Sequence, residues 1–229
     1  MKRVVITGAG SINALAWDVP ATLAAFREGR CGISELDIRD SDRLSIRIGG
    51  QVHNWNAEAH FSRQQIVLYD KFTQFTLLAA REAVAGAGLN FDGHLGYETG
   101  VVLGTAGGGV NTWDDNYRAV YEEGKNRVHP FVVPRLMNNA AASHLSMAFN
   151  LKGPSYTVAT ACASSNHAMG QAFHMIRSGM TRAMLTGGSE SMLCFGGIKA
   201  WEGRARAPRF SCSRNTTTPA CVVPISWPR

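Results

Sequence analysis

The stretch Tyr156-Thr157-Val158-Ala159-Thr160-Ala161-Cys162-Ala163-Ser164-Ser165 decides the fold class and locates the chemistry. Its first four residues form an extended, partly β-branched run, and Ser165 to Ser178 reads as helix. A strand that ends at a thiol set among Ala and Ser, then turns into a helix, presents a nucleophile. The small neighbours leave room for an electrophile. The helix N-terminus offers unpaired backbone N–H groups and about half a positive charge. That environment stabilises a thiolate or an oxyanion by about 1 kcal/mol. Proton transfer still calls for a histidine or another donor. The competing reading is an inert, buried cysteine; the strand-to-helix setting among small residues favours the reactive one.

Outward from this point, strands and helices alternate. Residues 2–7 predict a strand ending at Gly8-Ala9-Gly10, and Val19–Glu28 a helix stopped by Gly29. Val67–Ala87 is the strongest helical pattern, with Phe72, Phe75, Leu78, Ala79 and Ala83 on one face. Thr99–Leu103 predicts a buried strand leading into the glycine-rich Gly104–Gly109. Helices follow at 111–123 and 137–149, with a loop through His129-Pro130 to Pro134 between them. Gly153-Pro154 turns into the strand before Cys162, and residues 182–186 predict another strand closed by Gly187-Gly188. This alternation predicts an α/β layered structure with a mainly parallel sheet and helices on both faces. Two tempting motifs fail. Gly8-Ala9-Gly10-Ser11-Ile12-Asn13 lacks the third glycine and the downstream acidic residue of a dinucleotide site, and Gly104–Gly109 lacks the Lys-Ser/Thr of a phosphate loop. No cofactor is expected.

The chain has 229 residues, 45% hydrophobic and 17% charged, which fits an ordinary globular protein. No apolar run is long enough to span a membrane and no signal peptide precedes the first strand, so the expected address is cytoplasmic, with no membrane partner. Cys31, Cys162, Cys194, Cys212 and Cys221 are scattered without metal spacing, and the seven histidines show no HExxH or HxH, so no metal is expected. His167 and His174 fall on the helix after Cys162. At five residues' remove, His167 is turned away from the thiol and reads as a packing or capping residue. The formal net charge of +6 misleads. Of 23 basic residues, five follow Gly203 and no acidic one does, leaving 18 basic against 17 acidic over residues 1–203. No nucleic-acid surface is implied. Residues 204–229, with four of eight prolines and no periodicity, predict a disordered tail outside a domain of residues 1–203. A change of reading frame near Gly203 would give this shift in character, and sequencing the coding DNA would test it.

In order, these landmarks resemble a type II, elongating β-ketoacyl-[acyl-carrier-protein] synthase. The resemblance covers residues 1–203. It rests on Arg3–Gly10, Tyr69-Asp70-Lys71-Phe72-Thr73-Gln74-Phe75, Gly104–Gly109, His129-Pro130-Phe131-Val132-Val133-Pro134, Leu151-Lys152-Gly153-Pro154-Ser155, Thr160–Ser165 and Leu185-Thr186-Gly187-Gly188-Ser189-Glu190. Lys199-Ala200-Trp201-Glu202-Gly203 looks like the branch containing nodulation-type synthases. The resemblance implies the N-terminal half of a thiolase-like fold and a decarboxylating Claisen condensation in fatty-acid or related acyl-chain synthesis. Cys162 would carry the acyl group as a thioester, with its own N–H as one oxyanion donor. Acyl carrier protein would be the partner, and a homodimer would form with the 182–186 strand pairing across the axis. Gly107, Ala161, Ala163 and Ile198 would line the substrate site. Gly107, where many members carry a bulky residue, implies a roomier or differently shaped acyl pocket.

The sequence also departs from that pattern. Members of this family are about twice as long, and the His-Gly-Thr-Gly-Thr and Gly-His segments carrying their catalytic histidines are absent here, as are the Lys and the Gly-Phe-Gly-Gly loop. The expectation is a fragment carrying the nucleophile that is inactive in condensation or folds poorly on its own. Two alternatives stay open: a non-catalytic dimerising fragment or subunit, and a thiolase-type coenzyme A acyltransferase.

Overall fold

In the computed structural model, which describes residues 3–205 and 220–227, chain order runs β1 (Arg3–Ser11), α1 (Val19–Arg27), β2 (Ser34–Glu35), β3 (Ile48–Gly49), α2 (Arg63–Leu68), α3 (Lys71–Ala87), α4 (His94–Tyr97), β4 (Thr99–Gly104), α5 (Val110–Tyr121), α6 (Val132–Leu136), α7 (Ala140–Ala148), β5 (Ser155–Val158), α8 (Ser164–Ser178), β6 (Ala183–Gly188), α9 (Phe195–Ala205) and β7 (Ala220–Trp227). The main sheet has the order β1-β7-β6-β4-β5. β4 runs parallel to β5 and β6, and β7 is antiparallel to β1 and β6. Four strands therefore point one way and β7 the other. β2 and β3 form a separate short antiparallel pair.

The pleat of β4 assigns the two faces. Val101 and Leu103 pack with Leu185 of β6 and with Phe72, Ala79, Ala80, Ala83 and Leu145 of α3 and α7. Val102 faces the other way, with Met184, against Ala168, Ala172 and Ile176 of α8. All six β4 residues are buried, as expected for a strand covered by helices on both faces. Each buried Val or Leu here stabilises the fold by roughly 1.5–3 kcal/mol.

The Gly8-Ala9-Gly10 segment has a packing role. A Cβ on Gly10 would lie 1.8 Å from Ala79 O, and one on Gly8 2.0 Å from Ala83 O. The two glycines and the small residues of α3 let strand and helix backbones touch.

Three expectations need correction. The single helix predicted from Val67 is two, because Asp70 adopts an extended conformation and caps α3 by accepting Phe72 N–H. Asp70 is 1% exposed and also accepts from the N–H and hydroxyl of Thr112. Apolar residues on both sides conceal that break from the hydrophobic pattern. The 182–186 strand has no free edge for a dimer: β6 lies between β4 and β7, and β5 is the outer strand. Finally, Ala220–Trp227, expected in a disordered tail, forms β7. Ala220-Cys221-Val222-Val223 is a short apolar run of strand-forming character, and it occupies the gap between β1 and β6. Pro224, which has no N–H to donate, pairs with Ile6 beside a register shift between Ile6 and Gly8. The rest of the expected tail, residues 206–219 and 228–229, lies outside the described residues.

Candidate active site

β5 ends at Val158 and α8 begins at Ser164, so Cys162 sits in a five-residue turn between them. Ala161 has φ of +51°, a left-handed conformation that costs a non-glycine residue roughly 1–2 kcal/mol. Ser164, 3% exposed, holds that conformation. Its hydroxyl accepts Thr160 N–H at 2.8 Å and donates to Ala161 C=O at 2.6 Å. The N–H groups of Ala163 and Ser164 close the same turn onto Thr160 and Ala161 C=O. Cys162 is left exposed at the apex, flanked by exposed Ala161 and half-buried Ala163. The expected nucleophile, its small neighbours and the start of a 15-residue helix are thus brought together.

Two glycines lie beneath the turn. A Cβ on Gly104 would sit 2.2 Å from the Ser164 carbonyl carbon, and one on Gly188 would sit 2.6 Å from Ser165 Cβ. The ends of β4 and β6 therefore press directly on the first residues of α8. Beyond β4, a Cβ on Gly107 would meet Val110 Cγ2 at 2.8 Å and Met192 Sδ at 3.1 Å. Val110 and Met192 are therefore the side chains that border Gly107. Ile198, 4% exposed, packs with Leu36 and Leu44 in a cluster between α9 and the 34–49 segment.

The histidines take other roles. His167 is exposed, and its ring makes no hydrogen bond or ring contact among the described residues, so it fills neither the packing nor the capping role expected. His144 is half-buried with its ring 4.6 Å from Tyr69, and burial lowers its pKa. His129 Nδ1 accepts Phe131 N–H at 3.2 Å on the exposed loop. Cys31 is exposed, whereas burial pushes the Cys194 thiol up to about 11. Among the described residues no three His, Cys, Asp or Glu side chains gather as a metal site. A cleft of about 30 Å³, room for roughly one water, is lined by Trp55, Lys71, Phe75, Asn111 and Ser191 and takes in no residue of the Cys162 turn.

Sequence reasoning missed Ser164 as the clamp of the turn, Met192 as the neighbour of Gly107, and the task of Glu190. Glu190 Oε2 accepts Ala106 N–H at 2.7 Å, Gly107 N–H at 3.2 Å and the Thr105 hydroxyl at 3.2 Å. Burial outweighs these bonds and raises its pKa. None of these partners is near in sequence, so no local motif announces them.

Known proteins are similar to this chain in sequence and fold. The family described as "Beta-ketoacyl synthase, N-terminal domain" matches residues 1–212. Nodulation protein E of Rhizobium sp. (strain N33) is 38% identical over 208 residues, covering 90% of this chain and 52% of that protein. The 3-oxoacyl-[acyl-carrier-protein] synthase 2 of Staphylococcus aureus (strain N315) is 35% identical over 190 residues, covering 83% of this chain and 46% of that enzyme. The chain thus spans about half the length of these relatives. Among solved structures, a beta-ketoacyl synthase from Burkholderia phymatum STM815 superposes with a TM-score of 0.80 at 25% identity, over 99% of this chain and 60% of the other. The ishigamide ketosynthase/chain length factor gives a TM-score of 0.86 at 21% identity, over 98% of this chain and 58% of the other, a likeness of fold. With Cys162 at the strand-to-helix turn and the family match running through it, the chain belongs to the beta-ketoacyl synthases and corresponds to their N-terminal domain.

Proposed function

We propose that this chain carries the acyl-accepting half of a decarboxylating condensing enzyme, with Cys162 as the acyl carrier. The Cys162 sulfur attacks the carbonyl carbon of an acyl thioester. A new C–S bond forms, the old one breaks, and the donor leaves as a thiol that takes up the proton given up by Cys162. In the condensation that follows, a malonyl thioester loses CO₂ and its carbanion attacks the Cys162 thioester. That step releases the thiolate and gives a 3-oxoacyl product. Thiolate is both nucleophile and leaving group, which suits this two-stage exchange. The N–H of Cys162 is the proposed oxyanion donor. The sequence holds no second-half histidine segment, so acyl loading is the step assigned to these residues and condensation is assigned to the longer enzyme.

The observation that carries this reading is the exposed thiol at a strained turn on the N-terminus of α8, among alanines. Acyl carrier protein is the proposed donor. A solved type II polyketide ketosynthase, similar to this chain in fold, is described in complex with its acyl-carrier protein. Scattered free cysteines support a cytoplasmic setting. No helix among the described residues is long and apolar enough to cross a membrane. We also propose a homodimer, now through the free edge of β5.

The test uses the full chain with Cys31→Ser, which removes the other exposed thiol among the described residues. Acyl carrier protein or coenzyme A bearing the same acyl group is the donor, and intact and peptide mass spectrometry is the readout. The expected result is one thioester on Cys162, formed faster from the carrier protein and absent in Cys162→Ala. No adduct from the carrier protein, or equal modification of every cysteine, overturns the reading. Faster transfer from coenzyme A would favour a thiolase-type acyltransferase.

A further inference from the structure

Segment 188–192 borders both the turn that carries Cys162 and the glycine-rich turn after β4, and Glu190 is its one charged residue, with polar contacts that the acyl-carrier role does not use. We infer that Glu190 is a positioning residue: its carboxylate holds the Thr105–Gly108 turn in place against the Cys162 turn and so fixes the wall that an acyl chain would meet. This rests on the acyl-accepting role proposed for Cys162.

The turn cannot set its own shape. Gly108 has φ of +60°, a conformation glycine adopts freely and leaves as freely. Glu190 supplies what is missing. One oxygen takes the Ala106 and Gly107 N–H groups and the Thr105 hydroxyl, and that hydroxyl accepts Gly108 N–H at 3.1 Å. Four consecutive residues are thereby tied to a single carboxylate. The base of the turn is tied as well, since Thr105 N–H donates to Val158 C=O and Ser189 N–H to Gly104 C=O. Val158 is the last residue of the strand that leads into the Cys162 turn, and Gly104 lies under Ser164. Two residues past Glu190, Met192 packs on Gly107.

The charge matters as well as the shape. The other oxygen, Oε1, is shielded from solvent and, beyond the adjacent Ser191 N–H, has no polar partner among the described residues. A carboxylate held with one oxygen unsatisfied is costly to keep. A charged oxygen accepting several N–H and O–H donors makes stronger bonds than a neutral amide oxygen would. Glu190 touches neither Cys162 nor the reacting atoms in this arrangement, so its effect passes through the turn.

The experiment compares Glu190→Gln and Glu190→Ala with the unaltered residue, all in the full chain with Cys31→Ser and with folding checked by urea midpoint. Three readouts are taken. They are amide exchange at residues 105–108, the rate of Cys162 alkylation by iodoacetamide, and acyl transfer to Cys162 across a series of acyl lengths. Glu190→Gln is expected to speed exchange at Ala106 and Gly107 by at least about tenfold, as loss of charge-assisted bonds implies. Iodoacetamide, too small to meet the wall, should react within about twofold of the unaltered rate, while the preference among acyl lengths flattens. Unchanged exchange, or an equal loss for iodoacetamide and for every acyl length, overturns the inference. If the unaltered chain accepts no acyl group, the acyl-accepting reading falls, and the exchange readout alone then decides whether Glu190 holds the turn.

Discussion

The Ser164 hydroxyl fills both of its roles at once, accepting from Thr160 and donating to Ala161 across a turn whose middle residue is left-handed. Replacing it with alanine leaves a backbone donor and acceptor to find other partners in a crowded place, a loss of about 1–3 kcal/mol. The expected outcome for Ser164→Ala is a urea midpoint lowered by that amount, with iodoacetamide labelling of Cys162 less selective over Cys31. An unchanged midpoint would show that the turn is held by its neighbours alone. At this scale the place of Cys162, exposed in the turn between β5 and α8, was legible from a cysteine among small residues at a strand-to-helix junction. Its clamp was not, because a serine two residues on gains meaning only once Ala161 adopts positive φ. Glu190 was quoted in the sequence as part of a motif, but its partners lie 83–85 residues away, and no local pattern encodes such a distance. Gly107 is a related case: a missing side chain says nothing about which neighbours border its place, here Val110 and Met192.

Elements with one dominant period were read well, as α8 and β4 show, because burial on a helix face or on both sheet faces leaves a strong apolar pattern. α9 escaped notice. Its Gly196-Gly197 pair argues against a helix, and what anchors it is tertiary: Glu202, 5% exposed, accepts N–H groups from Ser45 and Ile46 and pairs with Lys199 at 2.8 Å. These contacts, the Lys199 bond foremost, depress the Glu202 carboxyl to about 2 from an ordinary 4.5. The sign follows from that depression. A carboxylate more acidic in the folded chain than in the unfolded one stabilises the fold above pH 4.5, and this help is lost as pH falls through the folded value. Acidification toward pH 2 is therefore expected to release the 34–49 segment from α9, seen as faster amide exchange at Ser45 and Ile46. In Glu202→Gln the same amides should exchange faster already at neutral pH and show little further acid dependence from this contact. Equal acid sensitivity in both proteins would mean that Asp40, lowered by its bond to Arg118 on the other side of the segment, is the controlling group.

For the molecule as a whole, strand order was beyond reach of the sequence: periodicity identifies strands but not their neighbours, so β6 was taken for a dimer strand when it lies inside the sheet. The edge opposite β1 belongs to β5. β5 pairs with β4 on one side, and Tyr156 is 37% exposed with its hydroxyl reaching Met175 of α8. A strand edge whose N–H and C=O groups pair with no other strand among the described residues, and with no charged side chain within Ser155–Val158, lacks the usual guards against strand addition. In the proposed homodimer, a second copy presenting the same edge about a two-fold axis would satisfy those groups and cover Tyr156. Each copy carries a formal net charge of +6, so like-charge repulsion opposes association and added salt should strengthen it. The expected outcome is a dimer in sedimentation at micromolar concentration, shifted toward monomer by Tyr156→Lys while circular dichroism is unchanged. Lys places a charge beside the edge, where pairing would force it against its own symmetry mate. A monomer at every concentration, or a Tyr156→Lys protein that dimerises as strongly as the unaltered chain, removes β5 as the interface and with it the homodimer proposed through that edge.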